Sequence, residues 1–171
     1  GSAVVGEKLT AKPGNWTAGT AFTYQWKADG AAIPGATSAS FTLTTAQTGK
    51  AITVTVTGSQ AGHGSVSQTS AATAKVKGKP GWFSENGKWY YFGKDGAKQT
   101  GWVSVGRTWY YMNAFGVMQT GWVKVGAQRY YLDASGAMQT GWARVGSSWF
   151  YLKADGAQTT GWALLGGKWY Y

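Results

Sequence analysis

The chain of 171 residues has a net charge of +10, contains no cysteine and contains one histidine. The lack of cysteine excludes disulfide bonds and thiolate chemistry, and no apolar run reaches the roughly eighteen residues that a membrane span needs. Six Lys against two acids give +4 in residues 1–77, and ten Lys or Arg against four acids give +6 in residues 78–171. This diffuse positive charge favours an acidic polymer as partner, whereas the regular spacing of the aromatic residues argues against nucleic acid.

Residues 3–76 are rich in Thr, Ala and Val and alternate between apolar and polar residues. The alternation over 51–57 places Ile52, Val54 and Val56 on one face of a strand. Turn signals such as Asp29-Gly30 separate the candidate strands. These features predict an all-β sandwich with strands at Lys8–Ala11, Phe22–Ala28, Ser40–Leu43, Ala51–Thr57 and Ser70–Val76.

The segment from Tyr24 to Gly30, followed by the segment from Gln47 to Val54, resembles two signatures of immunoglobulin-like (Ig-like) domains. These are the tryptophan of strand C and the D-x-G-x-Y-x-C segment. Ile52 stands at the corner-tyrosine position, Val54 at the second cysteine and Ala11 near the first. The resemblance implies a disulfide-free Ig-like β-sandwich domain over residues 1–77, like those strung along bacterial surface proteins, with Trp26 in its core. We expect this domain to act as a spacer.

Residues 78–80, Gly-Lys-Pro, follow this domain. The segment is short and charged and ends in proline, so we expect an exposed linker with limited flexibility.

The Gly1-Ser2 pair is typical of what remains after an expression tag is cleaved. We therefore expect the chain to be a piece of a larger secreted protein.

A block of about twenty residues recurs over residues 81–171. Each copy opens with Gly-Trp and reaches a cluster such as Trp109-Tyr110-Tyr111 seven residues later. Strands at 102–105 and 108–111 around a Gly106-Arg107 turn predict a hairpin, and a Gly-rich link follows it. A single hairpin is marginal in water, so we predict a β-hairpin solenoid of about five twenty-residue repeats.

The region contains nine Trp and nine Tyr, more than packing alone requires. Side chains alternate along a strand, so the middle residue of each cluster faces away from the first and third. The first and third residues then share a face with the tryptophan of Gly-Trp. This excess of aromatic surface indicates a site for stacking or for binding a cation.

Catalytic chemistry has little support in this sequence. The six acids are scattered singly, with Asp95, Asp133 and Asp155 in or beside the Gly-rich links. His63 is the one histidine, so a zinc site lacks partners. Without paired carboxylates or an activated nucleophile, the chain is interpreted as a non-enzyme with no cofactor.

The runs TGWVKVGAQRYYLDASGAMQ and TGWARVGSSWFYLKADGA resemble the choline-binding, or cell-wall-binding, repeats of Gram-positive surface proteins and peptidoglycan hydrolases. In that family, choline of teichoic acid lies between consecutive hairpins in a cage of aromatic residues. The cage comprises the Gly-Trp tryptophan, the first aromatic residue of the cluster and the last tyrosine of the next cluster, and a Met from the link often closes it. The resemblance therefore implies a secreted, non-catalytic module that attaches to the cell wall or cell surface. Aromatic faces suit a quaternary ammonium because it has no N–H to donate.

Carried onto this sequence, the resemblance implies four cages, each named here by its residues. Cage 1 is Trp82, Trp89 and Tyr111, with Lys98 at the Met position; cage 2 is Trp102, Trp109, Tyr131 and Met118; cage 3 is Trp122, Arg129, Tyr151 and Met138; and cage 4 is Trp142, Trp149, Tyr171 and Gln158.

Departures from the pattern rank these cages. Arg129 replaces an aromatic wall, so we expect cage 3 to be empty. We expect Lys98 to weaken cage 1 less by swinging its charge into solvent, and terminal Tyr171 to fray in cage 4. Cage 2 should fill first.

Two other functions remain open from the sequence. Related aromatic repeats of glucan-synthesising enzymes bind α-glucans by stacking on sugar rings, although their units are longer and less regular. A structural stalk without a ligand is the third interpretation.

Overall fold

The computed structural model describes residues 1–171, and apart from one turn of 3₁₀ helix at Thr45–Gln47 its regular structure is all β. The chain divides into two compact units. Unit 1 comprises Gly1–Asn86 and Tyr91–Lys98, and unit 2 comprises Gly87–Tyr90 and Gln99–Tyr171. The division runs through the first repeat. No helix in the structure is long and apolar enough to cross a membrane.

Two small antiparallel sheets form the N-terminal part of unit 1. Strand β1 (Lys8–Thr10) pairs with β4 (Ser40–Thr42). The other sheet has the order β3-β2-β5-β6, with β2 at Ala21–Ala28, β3 at Ala31–Ala32, β5 at Ile52–Ser59 and β6 at Val66–Thr69. Four of the five predicted strands are confirmed to within two residues at each end.

The predicted inner face of β5 is confirmed, because Ile52, Val54 and Val56 are all buried. Trp26 is also buried. Its indole Nε1–H donates to the carbonyl of Ser38 at 2.9 Å, and its ring stacks on Phe41 with centroids 5.9 Å apart. Trp26 is therefore a satisfied core residue. The Ig-like relationship stays a prediction.

The predicted strand Ser70–Val76 is wrong, since the strand beside β5 is β6, at Val66–Thr69. The chain still follows β5 beyond Thr69, but side chains interrupt the ladder. The Oγ of Ser70 accepts from the Val54 amide at 3.1 Å, and the Oγ1 of Thr73 accepts from the Ile52 amide at 3.0 Å. Hydroxyl groups thus take the place of backbone carbonyls, a competition that Ser and Thr offer in any extended segment.

Within unit 1, part of the first repeat packs against residues 1–77. Gly78 is buried, its amide donates to the Gly96 carbonyl at 2.9 Å, and a Cβ at Gly78 would overlap the ring of Phe92. The expectation of an exposed linker is therefore wrong at Gly78, although Lys79 and Pro80 are exposed. The predicted domain limits remain predictions.

Polar contacts also join residues 1–77 to the first repeat within unit 1. The Oγ1 of Thr45 donates to the Glu85 carboxylate at 2.6 Å, and the Lys98 ammonium donates to the Thr45 carbonyl at 3.2 Å. Burial lowers the pKa of Lys98, and the nearby Glu85 carboxylate opposes that shift. Thr45 thus contacts two charged side chains of the first repeat, Glu85 and Lys98.

Five β-hairpins form the repeat region, as the sequence predicts. Their strands are β7 (Gly81–Glu85) with β8 (Lys88–Phe92), β9 (Gly101–Val105) with β10 (Thr108–Met112), β11 (Gly121–Val125) with β12 (Gln128–Leu132), β13 (Gly141–Val145) with β14 (Ser148–Leu152), and β15 (Ala163–Leu165) with β16 (Lys168–Tyr170). They are called hairpins 1 to 5.

The register of hairpin 2 shows how the aromatic residues are distributed. Trp102 lies opposite Tyr111, and Val103 lies opposite Tyr110. Trp102, Trp109 and Tyr111 therefore share one face, and Tyr110 lies on the other, as predicted. Met112, one residue beyond the cluster, is fully buried, as are its equivalents Leu132 and Leu152. This position supplies the innermost side chains of the array.

Each link after a hairpin folds as a compact turn fixed by a short polar side chain. In the link after hairpin 2, the Asn113 Oδ1 accepts from the amides of Phe115 and Val117 at 2.9 and 3.0 Å. In the link after hairpin 3, the Asp133 Oδ1 accepts from the amides of Ser135 and Ala137 at 2.8 and 3.1 Å. Asp and Asn favour turns because their side chains bond to the backbone two residues ahead.

Candidate functional site

The Gly-Trp tryptophans link consecutive hairpins in unit 2. The Trp102 ring meets Tyr111 of its own hairpin at 5.1 Å and Tyr130 of the next hairpin at 4.8 Å, both edge to face. Trp122 repeats the arrangement with Tyr131 at 5.1 Å and Phe150 at 4.9 Å. Such geometry is the favourable one for aromatic pairs. Each of these tryptophans is thus held in place by two neighbouring rings.

The first residue of each cluster is exposed, in contrast to these packed rings. Trp109 is 45% exposed, Trp149 is 62% exposed, and Arg129 takes the same exposed position in hairpin 3. Exposed tryptophans repeated at one position of a scaffold mark an interaction surface rather than a core.

Backbone hydrogen bonds from the links hold this exposed position in place. The Met138 amide donates to the Trp109 carbonyl at 2.8 Å, and the Gln158 amide donates to the Arg129 carbonyl at 2.7 Å. The bond therefore forms whichever residue occupies the position. The scaffold is independent of the side chain that it presents.

The side chains of the link methionines pack on glycines of the following links. A Cβ at Gly136 would lie 2.5 Å from the sulfur of Met118, and a Cβ at Gly156 would overlap Met138. Both glycines also have positive φ, at +83°. Only glycine combines that backbone angle with so close a neighbour without strain.

The residues predicted for cage 2 come from hairpins 2 and 3 and from the link between them. Trp102 and Trp109 lie on the same face of hairpin 2, and Tyr131 is the cross-strand partner of Trp122 in hairpin 3. Met118 extends toward Gly136 in the link after hairpin 3. All four residues belong to unit 2, and how they contribute to a ligand site remains a prediction.

A cavity of about 320 Å³ lies where cage 4 is predicted. Its lining includes all four predicted residues, Trp142, Trp149, Gln158 and Tyr171, together with Tyr170. The volume is at the lower limit of small-molecule pockets. Gln158 stands where other links carry Met, and its Oε1 is buried without a hydrogen-bond partner. Tyr171 is 90% exposed.

Cage 3 contains its own cation. The guanidinium carbon of Arg129 lies 4.6 Å from the centre of the Trp122 ring. This is within the distance at which a guanidinium and an aromatic face attract each other. Arg129 thus lies over the tryptophan ring that is predicted to bind an external ammonium in cage 3. Met138 and Tyr151 complete the predicted residues of this cage, and Tyr151 pairs with Trp142 at 5.3 Å.

Cage 1 combines residues of the two units, so it stays a prediction from the sequence. Trp82 meets Tyr91 at 5.1 Å within unit 1, and Trp89 is exposed. The expectation that Lys98 swings into solvent is wrong, since its ammonium is half-buried and bonded to Thr45. The cause lies in the N-terminal domain, which offers a carbonyl acceptor that the repeat pattern alone does not reveal.

Two sets of structural residues were missed by reasoning from sequence. One is the buried column of Met112, Leu132 and Leu152. The other comprises the middle residues of the clusters, Tyr130, Phe150 and Tyr170, which pack on the tryptophan of the preceding hairpin. Strand alternation places both on the face of their own strand opposite the first and third residues of the cluster, which was the available signal.

Comparison with known families now identifies the repeat region. A family model described as a choline-binding repeat matches residues 99–140 and 139–171, and a model described as a putative cell wall binding repeat matches residues 81–98. Residues 81–171 therefore belong to the choline-binding, or cell-wall-binding, repeat family, whose repeats are binding modules. A search among curated proteins finds no match.

Solved structures agree with this assignment. Choline binding protein F from Streptococcus pneumoniae, solved in the presence of a peptidoglycan analogue, is 48% identical over 58% of this chain and 34% of its own, with a TM-score of 0.54. A complex of the same protein with ipratropium gives 45% identity over 60% and 35%, with a TM-score of 0.53. CbpJ from Streptococcus pneumoniae TIGR4 is 39% identical over 64% and 36%, also with a TM-score of 0.53. The chain spans about a third of the length of these structures.

Proposed function

We propose that residues 81–171 attach their protein to a Gram-positive cell wall by binding choline of teichoic acid in aromatic cages between consecutive hairpins. The observation that carries this proposal is the cavity of about 320 Å³ lined by Trp142, Trp149 and Tyr171. No acidic side chain lines it, so its affinity for a cation must come from aromatic faces. A quaternary ammonium binds in this way, and choline cages are the standard example of the interaction.

The proposed affinity of each cage is low. Cation–π contacts contribute about 0.5 to 2 kcal/mol each, and the cost of immobilising the ligand offsets part of that. Three walls then give a Kd on the order of millimolar. A polymer with many choline groups binds more tightly, because the second and later contacts are intramolecular.

We propose that cage 2 fills before the others. Cage 2 has the full set Trp102, Trp109, Met118 and Tyr131. In cage 4, Gln158 replaces Met and Tyr171 is highly exposed. In cage 3, Arg129 covers Trp122, so an incoming ammonium meets a like charge on the aromatic face.

Binding of α-glucan is the alternative, because exposed tryptophans also stack on sugar rings. The cavity proposed as cage 4, of about 320 Å³, has the volume of a small-ligand pocket, whereas stacking on a polysaccharide needs open platforms. The match to choline-binding repeats over residues 81–171 favours choline.

The test measures quenching of tryptophan fluorescence by choline, with ethanolamine at equal concentration as the matched control. Ethanolamine keeps the hydroxyl and the positive charge but lacks the three methyl groups. We expect saturable quenching by choline at millimolar concentration and a response at least fivefold weaker to ethanolamine. Retention on dextran together with no release from a diethylaminoethyl matrix by choline would support the glucan interpretation instead.

For residues 1–77 we propose an Ig-like domain that serves as a spacer in a secreted protein. The chain would then be the non-catalytic binding region of a cell-wall hydrolase or surface protein. The cages of unit 2 lie within residues 102–171, outside this domain. Deleting residues 1–77 should leave the choline affinity of these cages within about twofold. A loss of tenfold, about 1.4 kcal/mol, would contradict a spacer role.

A further inference from the structure

Hairpin 3 presents two positive charges side by side. Lys124 and Arg129 are directly opposite each other in the β11–β12 register, and both are exposed. Like charges in directly opposed positions destabilise a strand pair. The equivalent pairs of hairpins 2 and 4, Ser104 with Trp109 and Arg144 with Trp149, each carry at most one charge.

No acid of the protein neutralises this pair. Residues 121–132 contain no Asp or Glu, and neither Lys124 nor Arg129 forms a salt bridge. The nearest acid along the chain is Asp133, whose carboxylate accepts hydrogen bonds from Ser135, Ala137 and Gln139 within its own link. An external anion is therefore the complement that these two side chains lack.

Contact with Trp122 restricts the Arg129 guanidinium and leaves its N–H donors for such an anion. The guanidinium carbon lies 4.6 Å from the centre of the Trp122 ring, within the range of a cation–π contact. The five N–H donors lie in the plane of the group, and the indole ring offers no hydrogen-bond acceptor to them. A guanidinium whose movement is already restricted loses less freedom when it binds a phosphate through two parallel hydrogen bonds. Lys124 adds a mobile point charge beside it.

We infer that Lys124 and Arg129 form a binding site for a phosphate group. The inference deepens the proposed function, on which it relies for the polymer that carries the phosphate. The solenoid then binds a zwitterionic polymer through two kinds of site. Cages 2 and 4 take the ammonium groups, and hairpin 3 takes a phosphate between them.

The experiment titrates the full chain with inorganic phosphate and follows the side-chain Nε–H signal of Arg129 by NMR, with sodium chloride at matched ionic strength as the reference. We expect a saturable shift with phosphate that chloride does not reproduce. Lys124→Gln should weaken the affinity at least fivefold. Arg107→Gln removes the same charge from an exposed hairpin turn and should change it less than twofold. No saturable shift beyond chloride, or equal losses in both variants, would overturn the inference.

Arg129→Lys provides a second variant that keeps the charge and removes the planar group. We expect phosphate affinity, followed through the backbone amide of residue 129, to fall at least threefold; unchanged affinity would overturn the role of the guanidinium. Phosphocholine and glycerophosphocholine, titrated in parallel, distinguish a phosphate monoester source from a diester source.

Choline titration of the same samples separates the two proposals. Phosphate binding without choline binding would leave this site standing and remove the proposed function. Choline binding without phosphate binding would support the proposed function and overturn the phosphate site.

Discussion

Hairpins 2 and 3 have the same architecture and differ in the chemistry that they expose. Both have a Gly-Trp tryptophan paired with the last tyrosine of the cluster at 5.1 Å, and both end on a fully buried residue, Met112 or Leu132. The exposed position is Trp109 in one and Arg129 in the other. In hairpin 2 that residue adds an aromatic surface, whereas in hairpin 3 it covers one with a guanidinium.

The comparison shows that fold and ligand chemistry depend on different positions of the repeat. Register, edge-to-face ring contacts and the buried residue are alike in both hairpins. The amide-to-carbonyl bond to the exposed position is also kept, from Met138 to Trp109 and from Gln158 to Arg129. A substitution at the exposed position therefore alters binding without altering the scaffold.

Truncation of the buried residues should have the largest effect and should be similar in the two hairpins. Met112→Ala and Leu132→Ala each remove a fully buried side chain. We expect each to lower the free energy of unfolding by about 2–5 kcal/mol. Urea denaturation followed by tryptophan fluorescence measures the change. Arg107→Ala, in an exposed turn, should stay within about 0.5 kcal/mol. A loss below about 1 kcal/mol in either buried variant would contradict the shared role.

Much of this equivalence could be predicted from the sequence, because the period of twenty residues never slips. The hairpins, their turns and the common face of Trp102, Trp109 and Tyr111 follow from that period and from strand alternation. The periodic features are local, and local patterns are what a sequence displays most directly.

The features that escaped prediction depend on contacts between distant segments. Lys98 occupies a Met position in its repeat, yet its ammonium bonds to Thr45, 53 residues earlier. Ser70 and Thr73 interrupt a predicted strand through hydroxyl groups that bond to β5. The placement of Arg129 on Trp122 required the three-dimensional path of a long side chain, since the sequence showed only that an aromatic wall was missing.

Alanine at the exposed position should affect choline binding in hairpin 2 and not in hairpin 3. Trp109→Ala removes one wall of cage 2, and we expect the affinity of the tightest choline site to fall about tenfold, or ~1.4 kcal/mol. Arg129→Ala removes no wall that choline uses, so the same affinity should stay within about twofold. Calorimetric titration with choline measures both. Equal losses of choline affinity in the two variants would show that Trp109 and Arg129 contribute equally to binding, which would contradict their different roles.

Replacing the arginine should convert hairpin 3 into a copy of hairpin 2. Arg129→Trp removes the guanidinium from the Trp122 face and supplies the missing wall beside Tyr151 and Met138. We expect one additional choline per chain, with a Kd on the order of millimolar. Equilibrium dialysis at saturating choline counts the bound molecules. Arg107→Trp adds a tryptophan away from the cages and should leave the number unchanged. An unaltered count in Arg129→Trp would indicate that more than the arginine keeps cage 3 closed.

The smallest expected difference concerns acid pH, because hairpin 2 is followed by Asn113 and hairpin 3 by Asp133. The hydrogen bond from the Ser135 hydroxyl is the main cause that holds the pKa of Asp133 below its ordinary value; burial opposes the shift, and the amides of Ser135 and Ala137 add to it. A carboxyl whose pKa is depressed by folding stabilises the folded state above the pKa of the unfolded chain, and this stabilisation is lost as pH falls through the folded pKa. Asn113 makes the corresponding amide contacts without titrating.

Asp133→Asn should therefore remove one acid-sensitive contribution and leave the link intact. We expect the difference in unfolding free energy between the native chain and Asp133→Asn to be constant above about pH 5 and to change in favour of the variant as pH falls below about 4. Other carboxyl groups titrate equally in both proteins and cancel in this difference. Ser135→Ala removes the largest cause of the pKa shift and should reduce the same pH dependence. Urea denaturation at several pH values provides the measurement, and a difference that stays constant down to about pH 2.5 would show that the Asp133 turn contributes nothing through its charge.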